Sequence, residues 1–291
     1  MPNLKPPAEA LSIQRPETSL RTDRELQQHN SRHKVAERRR IVRKLRQSLA
    51  ASELVLHFQP IVSLTTGLTR GAESVLRLPH SRRGFIPVGH FLPLAEQSDV
   101  IIDIGAWMLH AACGEAIKFP KNFSVSLALS LRHFQSGQLV RHLLEALNGS
   151  GLAPERLELL ITEATLLDEN DDTNFALKAA QSLGVRLALN HFGASYASLA
   201  PLRRLPFANL RLDRSITQNL NGDPASAAIL HAAVETGHAL GCSVLADGVE
   251  STIQYEMLRQ ARADEGQGLF FGSAVQSIEF SDMFGLRQEQ E

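Results

Sequence analysis

The sequence predicts an α/β protein: a closed (β/α)8 barrel, TIM-like, preceded by a helical and disordered N-terminal extension. Three observations carry that expectation. Apolar strand-like stretches alternate with amphipathic helical ones from about residue 51 onward, which argues for a mainly parallel sheet. About eight strands over roughly 240 residues suit a closed barrel better than an open doubly wound sheet. No glycine-rich phosphate loop follows any strand, which weakens a nucleotide-binding fold.

The chain divides into three parts. Residues 1–30 are polar and interrupted by Pro2, Pro6, Pro7 and Pro16, and read as a flexible tail. Residues 31–50 read as a basic amphipathic helix. Arg32, Lys34, Arg38, Arg39, Arg40, Arg43, Lys44 and Arg46 face only Glu37, while Val35, Ile41, Val42, Leu45 and Leu49 recur at helical spacing. Such a helix either packs its apolar stripe on the domain and solvates the rest, or docks an acidic protein partner or an anionic membrane through 32–46. Residues 51–285 form the barrel domain.

Within the barrel, strands are expected over 55–61, 71–77, 124–129, 157–161, 185–189, 209–212 and 243–246, with a short last one near 265–267. Helices are expected over 102–119, 137–147 (stopped by Gly149 and Gly151), 172–183 (stopped by Gly184) and 223–241. The last starts at Asp223 with Pro224 behind it, a cap followed by a proline that has no N–H to lose.

Bulk properties narrow the function. Hydrophobic residues make up 43% and charged residues 21%, an ordinary globular balance. The formal net charge of -1 argues against a nucleic-acid partner. The two cysteines, Cys113 and Cys242, sit in apolar contexts and read as buried thiols in a reducing cytosol. With no apolar run long enough to span a bilayer and no signal core at Met1–Lys5, the expected location is cytoplasmic.

Barrel function sits where strands end. Polar residues recur there: Glu73 and Arg77, Glu163, Asn190 and His191, Arg211 and Asp213, Asp247 and Glu250, and Gln267. Singly, each has a bland role, such as a helix cap for Asp213 or a packed histidine for His191. Together they imply a polar pocket at one rim. A two-metal phosphodiester hydrolase needs several converging carboxylates. Here acids are sparse, and Ala128, Leu160, Asn190 and His191 stand where ligands would be wanted. Ser195 and Ser198 form no recognisable activated nucleophile.

At this point the sequence resembles the EAL domain family. Phe58-Gln59-Pro60-Ile61-Val62 and Gly71-Ala72-Glu73-Ser74-Val75-Leu76-Arg77 look like its opening, with the signature Glu-Ala-Leu as Glu73-Ser74-Val75. Phe91-Leu92-Pro93-Leu94-Ala95-Glu96, Gly105-Ala106-Trp107-Met108-Leu109, Ala246-Asp247-Gly248-Val249-Glu250 and Gln267-Gly268-Leu269-Phe270-Phe271-Gly272 agree in order and spacing, as does the block over 150–159. The resemblance covers about residues 43–280 and implies an EAL-type barrel.

Active members of that family hydrolyse cyclic di-GMP to linear pGpG at a metal-dependent site. The resemblance keeps Glu73, Glu163, Asp247 and Glu250 only as remnants of it. The expected asparagine is Ala128, the first glutamate of Glu-x-Thr-Glu is Leu160, the paired aspartates of Asp-Asp-Phe-Gly are Asn190 and His191, and the lysine is Arg211. Ala128 and Leu160 offer no ligand oxygen, so no catalytic residue, no Mg²⁺ or Mn²⁺ site and no enzyme activity are expected. Fewer carboxylates also repel phosphates less. The resemblance therefore implies metal-independent binding of cyclic di-GMP through Gln59, Glu73, Leu76, Arg77, His191, Arg211, Asp213, Glu250 and Gln267.

Three functions stay open on sequence: a cyclic di-GMP receptor regulating a protein partner, an interaction module that no longer binds the dinucleotide, and a residual phosphodiesterase. In a decayed pocket, Asp247 and Glu250 would pair with Arg211 and Arg77. The segment 194–198 resembles, by its place, a loop through which active family members often form dimers, so the resemblance keeps a homodimer open.

Overall fold

The computed structural model describes residues 36–80, 84–194, 200–220 and 224–285. The tail over 1–30, the start of the basic helix and most of the 194–198 loop lie outside the described residues. Residues 36–50 are helical (α1). The barrel strands are β1 (Val55–Ser63), β2 (Thr69–His80), β4 (Ser124–Ala128), β5 (Leu157–Ile161), β6 (Arg186–Phe192), β7 (Asn209–Leu212), β8 (Ser243–Ala246) and β9 (Glu265–Gly266). A short β3 (Gly84–Ile86) folds back on the end of β2, outside the ring.

The ring closes through β1, which pairs with β2 on one side and β9 on the other. Within the ring, β2 and β4 through β9 form a parallel sheet, as the alternating pattern predicts. β1 runs antiparallel to both neighbours, because residues 64–68 join it to β2 as a hairpin with no room for a crossover helix. Its rim half bonds with Val275 instead of β9: Phe58 and Val275 exchange N–H···O bonds of 2.7 and 3.1 Å.

The long helices match expectation closely: α3 (Val100–Ala116), α5 (Leu139–Ser150), α7 (Asp171–Ser182) and α9 (Pro224–Ala239). α5 runs through Gly149 and stops at Gly151, whose φ of 72° is the left-handed conformation of a helix end. Shorter helices went unpredicted: α2 (Val88–Ala95), α4 (Leu131–Phe134), α6 (Glu163–Leu167), α8 (Arg214–Gln218), α10 (Thr252–Gln260) and α11 (Ser277–Met283). α4, α6 and α8 are one turn long, too short to show a period, and Pro93 interrupts the pattern of α2. These turns start directly behind strand ends, each with a capping oxygen from Ser130, Thr162 or Asp213.

The hydrophobic core lies outside the ring. Val125 and Leu127 of β4, Leu157, Leu159 and Ile161 of β5, and Leu187 and Leu189 of β6 face the helices and pack with Ile104, Leu109, Leu143 and Leu177. A second cluster joins Leu212, Val244 and Ala246 to Leu230, Val234 and Leu258 of α9 and α10. Side chains alternate along a strand, so the other face of each strand is turned into the ring. Among the described residues, no helix is long and apolar enough to cross a membrane.

Candidate functional site

The residues turned inward are unusually polar, since a barrel of this class is normally filled by branched apolar side chains. They form two layers. The lower layer joins Arg186 of β6 to Glu158 of β5 at 3.1 Å, and Asn209 of β7 to Glu265 of β9 at 2.8 Å. Burial pushes the carboxyls of Glu158 and Glu265 up, against the pull of Arg186 and Arg211.

The upper layer sits at the rim and holds four of the predicted residues. Arg211, only 1% exposed, directs Nη2 to Glu73 Oε2 at 2.6 Å and also donates to Gln267 Oε1. Gln267 Nε2 reaches Glu73 Oε2 at 3.0 Å and Gln59 Oε1 at 3.2 Å. Gln59 Nε2 donates to the Gly272 carbonyl at 3.2 Å. Burial works against the charge of Arg211, but Glu73, Glu158 and Asp247 outweigh it and push its pKa up. Arg211 Nε and Nη1 find no partner among the described residues. Asp247 hangs over this layer, accepting from the Gly248 N–H at 2.7 Å. Burial raises its carboxyl, and the nearby Glu73 raises it further.

A second cluster lies on the outer lip. β6 has one residue more than β7 between the pairs Leu189–Leu210 and Phe192–Leu212, and this bulge contains Asn190 and His191. His191 adopts φ 58°, a conformation a side chain with a Cβ rarely takes, and its exposed ring turns back to Asp213 Oδ2 at 3.1 Å. Asp213 Oδ1 meanwhile caps α8 through Ser215 N at 3.0 Å. Burial would raise the Asp213 carboxyl, but the Ser215 and His191 contacts outweigh it and hold it low.

The remaining predicted residues are less tightly held. Arg77 lies on the same face of β2 as Glu73, half-buried at the rim, with no hydrogen bond or ion pair among the described residues. Burial lowers its pKa. Glu250 is exposed and pairs with Arg214 at 3.5 Å. Glu163 opens α6, and its buried Oε1 has no hydrogen-bond partner among the described residues. Ala128 is exposed at the end of β4, and Leu160 is buried at the end of β5, so neither adds a polar atom.

Two expectations need correction. Leu76 is not brought to the pocket: it is 3% exposed and packs in the outer core, because strand alternation turns it away from Glu73 and Arg77. Arg211 pairs with Glu73, and Glu250 with Arg214, in place of the expected Asp247 and Glu250 pairings with Arg211 and Arg77. The lower layer was missed altogether. Its signal was present, since Arg186, Asn209 and Glu265 each precede a rim residue by the two- or four-residue step that keeps a side chain on one strand face, and Glu158 alternates with the apolar Leu157 and Leu159.

A family model described as EAL domain matches residues 42–274. The uncharacterised protein y4lL of Sinorhizobium fredii is 35% identical over 252 residues, 87% of this chain and 30% of that protein. The bifunctional diguanylate cyclase/cyclic di-GMP phosphodiesterase MucR of Pseudomonas aeruginosa is 35% identical over 240 residues, 81% of this chain and 35% of that protein. The chain thus spans about a third of the length of these curated relatives. The solved structure of the PaMucR phosphodiesterase in its cyclic di-GMP complex superposes with a TM-score of 0.78 at 33% identity, covering 83% of this chain and 99% of that one.

Proposed function

The chain belongs to the EAL domain family, and on that premise we propose that it acts in cyclic di-GMP signalling as a catalytically inactive, metal-independent receptor that regulates a protein partner. The observation that carries this reading is the ion pair inside the rim. The residues present do not fit a divalent ion. Glu73 is the one signature carboxylate left on β2, and Arg211 and Gln267 already hold it. Ala128 and Leu160 offer no oxygen, and Asn190 offers only a neutral carbonyl. Mg²⁺ and Mn²⁺ are held by hard oxygen donors, several of them charged in a hydrolase of this kind. Arg211 is a permanent cation buried among carboxylates, so the protein itself supplies positive charge where an ion would.

Binding is supported by Arg77. Its half-buried guanidinium has no acid partner among the described residues, and a phosphate would provide one. His191 stands exposed on the same rim, where an aspartate would repel an anion. Gln59, Glu73, Arg211, Asp213, Glu250 and Gln267 complete the proposed set, and Leu76 would act only through packing. The PaMucR phosphodiesterase structure contains cyclic di-GMP, which adds support from a similar fold. The proposal extends to a cytoplasmic location, a homodimer and no nucleic-acid partner.

One observation favours the rival reading of an interaction module without ligand. Gln59, Glu73, Arg211 and Gln267 already satisfy one another through direct bonds. Calorimetric titration with cyclic di-GMP, once in EDTA and once with Mg²⁺, separates the readings. The receptor gives micromolar binding indifferent to Mg²⁺, lost in Arg77→Ala, with no linear product. Folded protein that gives no heat supports the rival. Mg²⁺-dependent binding with linear product would overturn the inactive reading.

A further inference from the structure

The strongest feature outside the barrel rim is a cavity against α1. It has a volume of about 590 Å³ and is lined by Arg38, Arg39, Val42, Arg43 and Arg46 of the helix together with Ser98 of the α2–α3 connection. None of its described lining residues is acidic. Arg38 donates through Nη2 to the Gln97 carbonyl, which ties the helix to that connection. The side chains of Arg39, Arg43 and Arg46 are exposed and make no hydrogen bond or ion pair among the described residues. Two acids nearby are engaged elsewhere: Asp99 pairs with Arg132 at 2.6 Å, and Glu53 with Lys44 at 3.0 Å, while Glu37 and Glu96 are outside the cavity lining.

The other face of α1 narrows the occupant. Leu45 is fully buried, and Ile41, Val42 and Leu49 pack on the main core. The helix therefore has no free apolar face to insert into a bilayer, which an interfacial amphipathic helix requires. What it offers is concave and cationic. Guanidinium groups grip phosphate oxygens in pairs, and the volume falls within the range of small-ligand pockets, about 300–1,000 Å³. Val42 adds an apolar floor and Ser98 a hydroxyl.

We propose that this cavity binds a small, multiply phosphorylated ligand of the nucleoside polyphosphate class, at a site that shares no residue with the barrel rim. The site does not depend on the cyclic di-GMP reading. The test is calorimetry on the full chain with two probes, inorganic tripolyphosphate and ATP, at near-physiological salt. Both probes are expected to bind, more weakly as salt rises. The double variant Arg43→Gln/Arg46→Gln should lose about tenfold or more in affinity, because charge-assisted bonds are the strong ones. Arg77→Ala should leave the affinity unchanged. The substituted arginines are exposed, and a melting curve confirms the fold. If the double variant does not fold, Arg43→Gln alone is read, with a loss of about threefold expected. Absence of heat with either probe overturns the proposal. So does binding that Arg77→Ala abolishes and the α1 variant keeps, which would move the site to the rim. Capture by phosphatidylserine vesicles that tripolyphosphate does not displace would also overturn it, in favour of a membrane surface.

Discussion

Replacing Arg211 by methionine tests the charge balance inside the barrel. The substitution keeps an unbranched side chain of similar reach and removes the cation. It leaves Glu73 without the partner at 2.6 Å and withdraws the favourable field at Glu158 and Asp247. Breaking a buried pair from one side costs about 3–5 kcal/mol. Part of that returns, because Arg211 Nε and Nη1 have no partner among the described residues and such groups cost about 1–3 kcal/mol. A net loss of about 2 kcal/mol follows from the middle of the two ranges. With a urea m-value of about 3 kcal/mol/M, the midpoint should fall by about 0.7 M. The loss should also depend on pH. Burial raises the folded-state pKa of Glu158 and Asp247, and Arg211 opposes the rise, so its removal raises both further. A carboxyl raised above its unfolded value, about 4, contributes stability that is present below that value and lost as pH rises through the folded one. The deficit of the variant should therefore be larger at pH 8 than at pH 5. Urea melts at both pH values measure it. An unchanged midpoint, or a deficit that is equal or smaller at pH 8, would refute the account of Arg211 as the internal counter-ion.

Three further outcomes are expected. Arg156 donates to the carbonyls of Ala116, Phe119, Pro120 and Phe123 at 2.6, 3.2, 3.0 and 2.8 Å, closing the end of α3. Arg156→Ala should cost about 2–3 kcal/mol and lower Tm by about 5–10 °C; a shift within 1 °C, roughly, would contradict this. Gly268 has φ 151°, and an added Cβ would lie 2.1 Å from the Val249 carbonyl oxygen. Gly268→Ala should therefore destabilise by about 3 kcal/mol or more and disturb the adjacent Gln267, and a wild-type melting curve would sink the argument. Burial, helped by His142 2.8 Å away, pulls the pKa of His133 down to about 4. The stability linked to this neutral ring is present above the unfolded value of about 6.5 and is lost as pH falls toward 4. An NMR titration of the His133 ring should show no protonation at pH 6; a midpoint near 6.5 would count against it.

The barrel was legible because its signals are local. Each parallel strand is a short apolar run, and each long helix carries its own period, so α3, α5, α7 and α9 appear within a few residues of their observed ends. The helices of one turn were not legible, since a single turn has too few positions to show a face. The rim residues were found because strand ends in a barrel converge, and Glu73, Arg211 and Gln267 do meet. Who pairs with whom was not legible. The choice of Glu73 over Asp247 by Arg211 depends on the stagger of β2, β7 and β8 around the ring, which no single segment encodes. Leu76 differs for the opposite reason: the family resemblance places it in the ligand-binding set, whereas alternation alone turns it outward.

The antiparallel first strand has a consequence for how the molecule is assembled in time. β1 meets β2 over eight residue pairs across a tight turn, a contact available as soon as that hairpin exists. It meets β9 over only two pairs, Val62–Gly266 and Ser63–Glu265. Gln59 and Gln267, whose side chains bridge that same seam, are 208 residues apart. A contact of such sequence separation bears the loop-closure entropy of the whole intervening chain and so belongs to the late part of folding. The bonds that gather Gln59, Glu73, Arg211 and Gln267 into one cluster thus come into being only when the ring shuts, and an open-ring intermediate would carry nearly all the strands but no rim site.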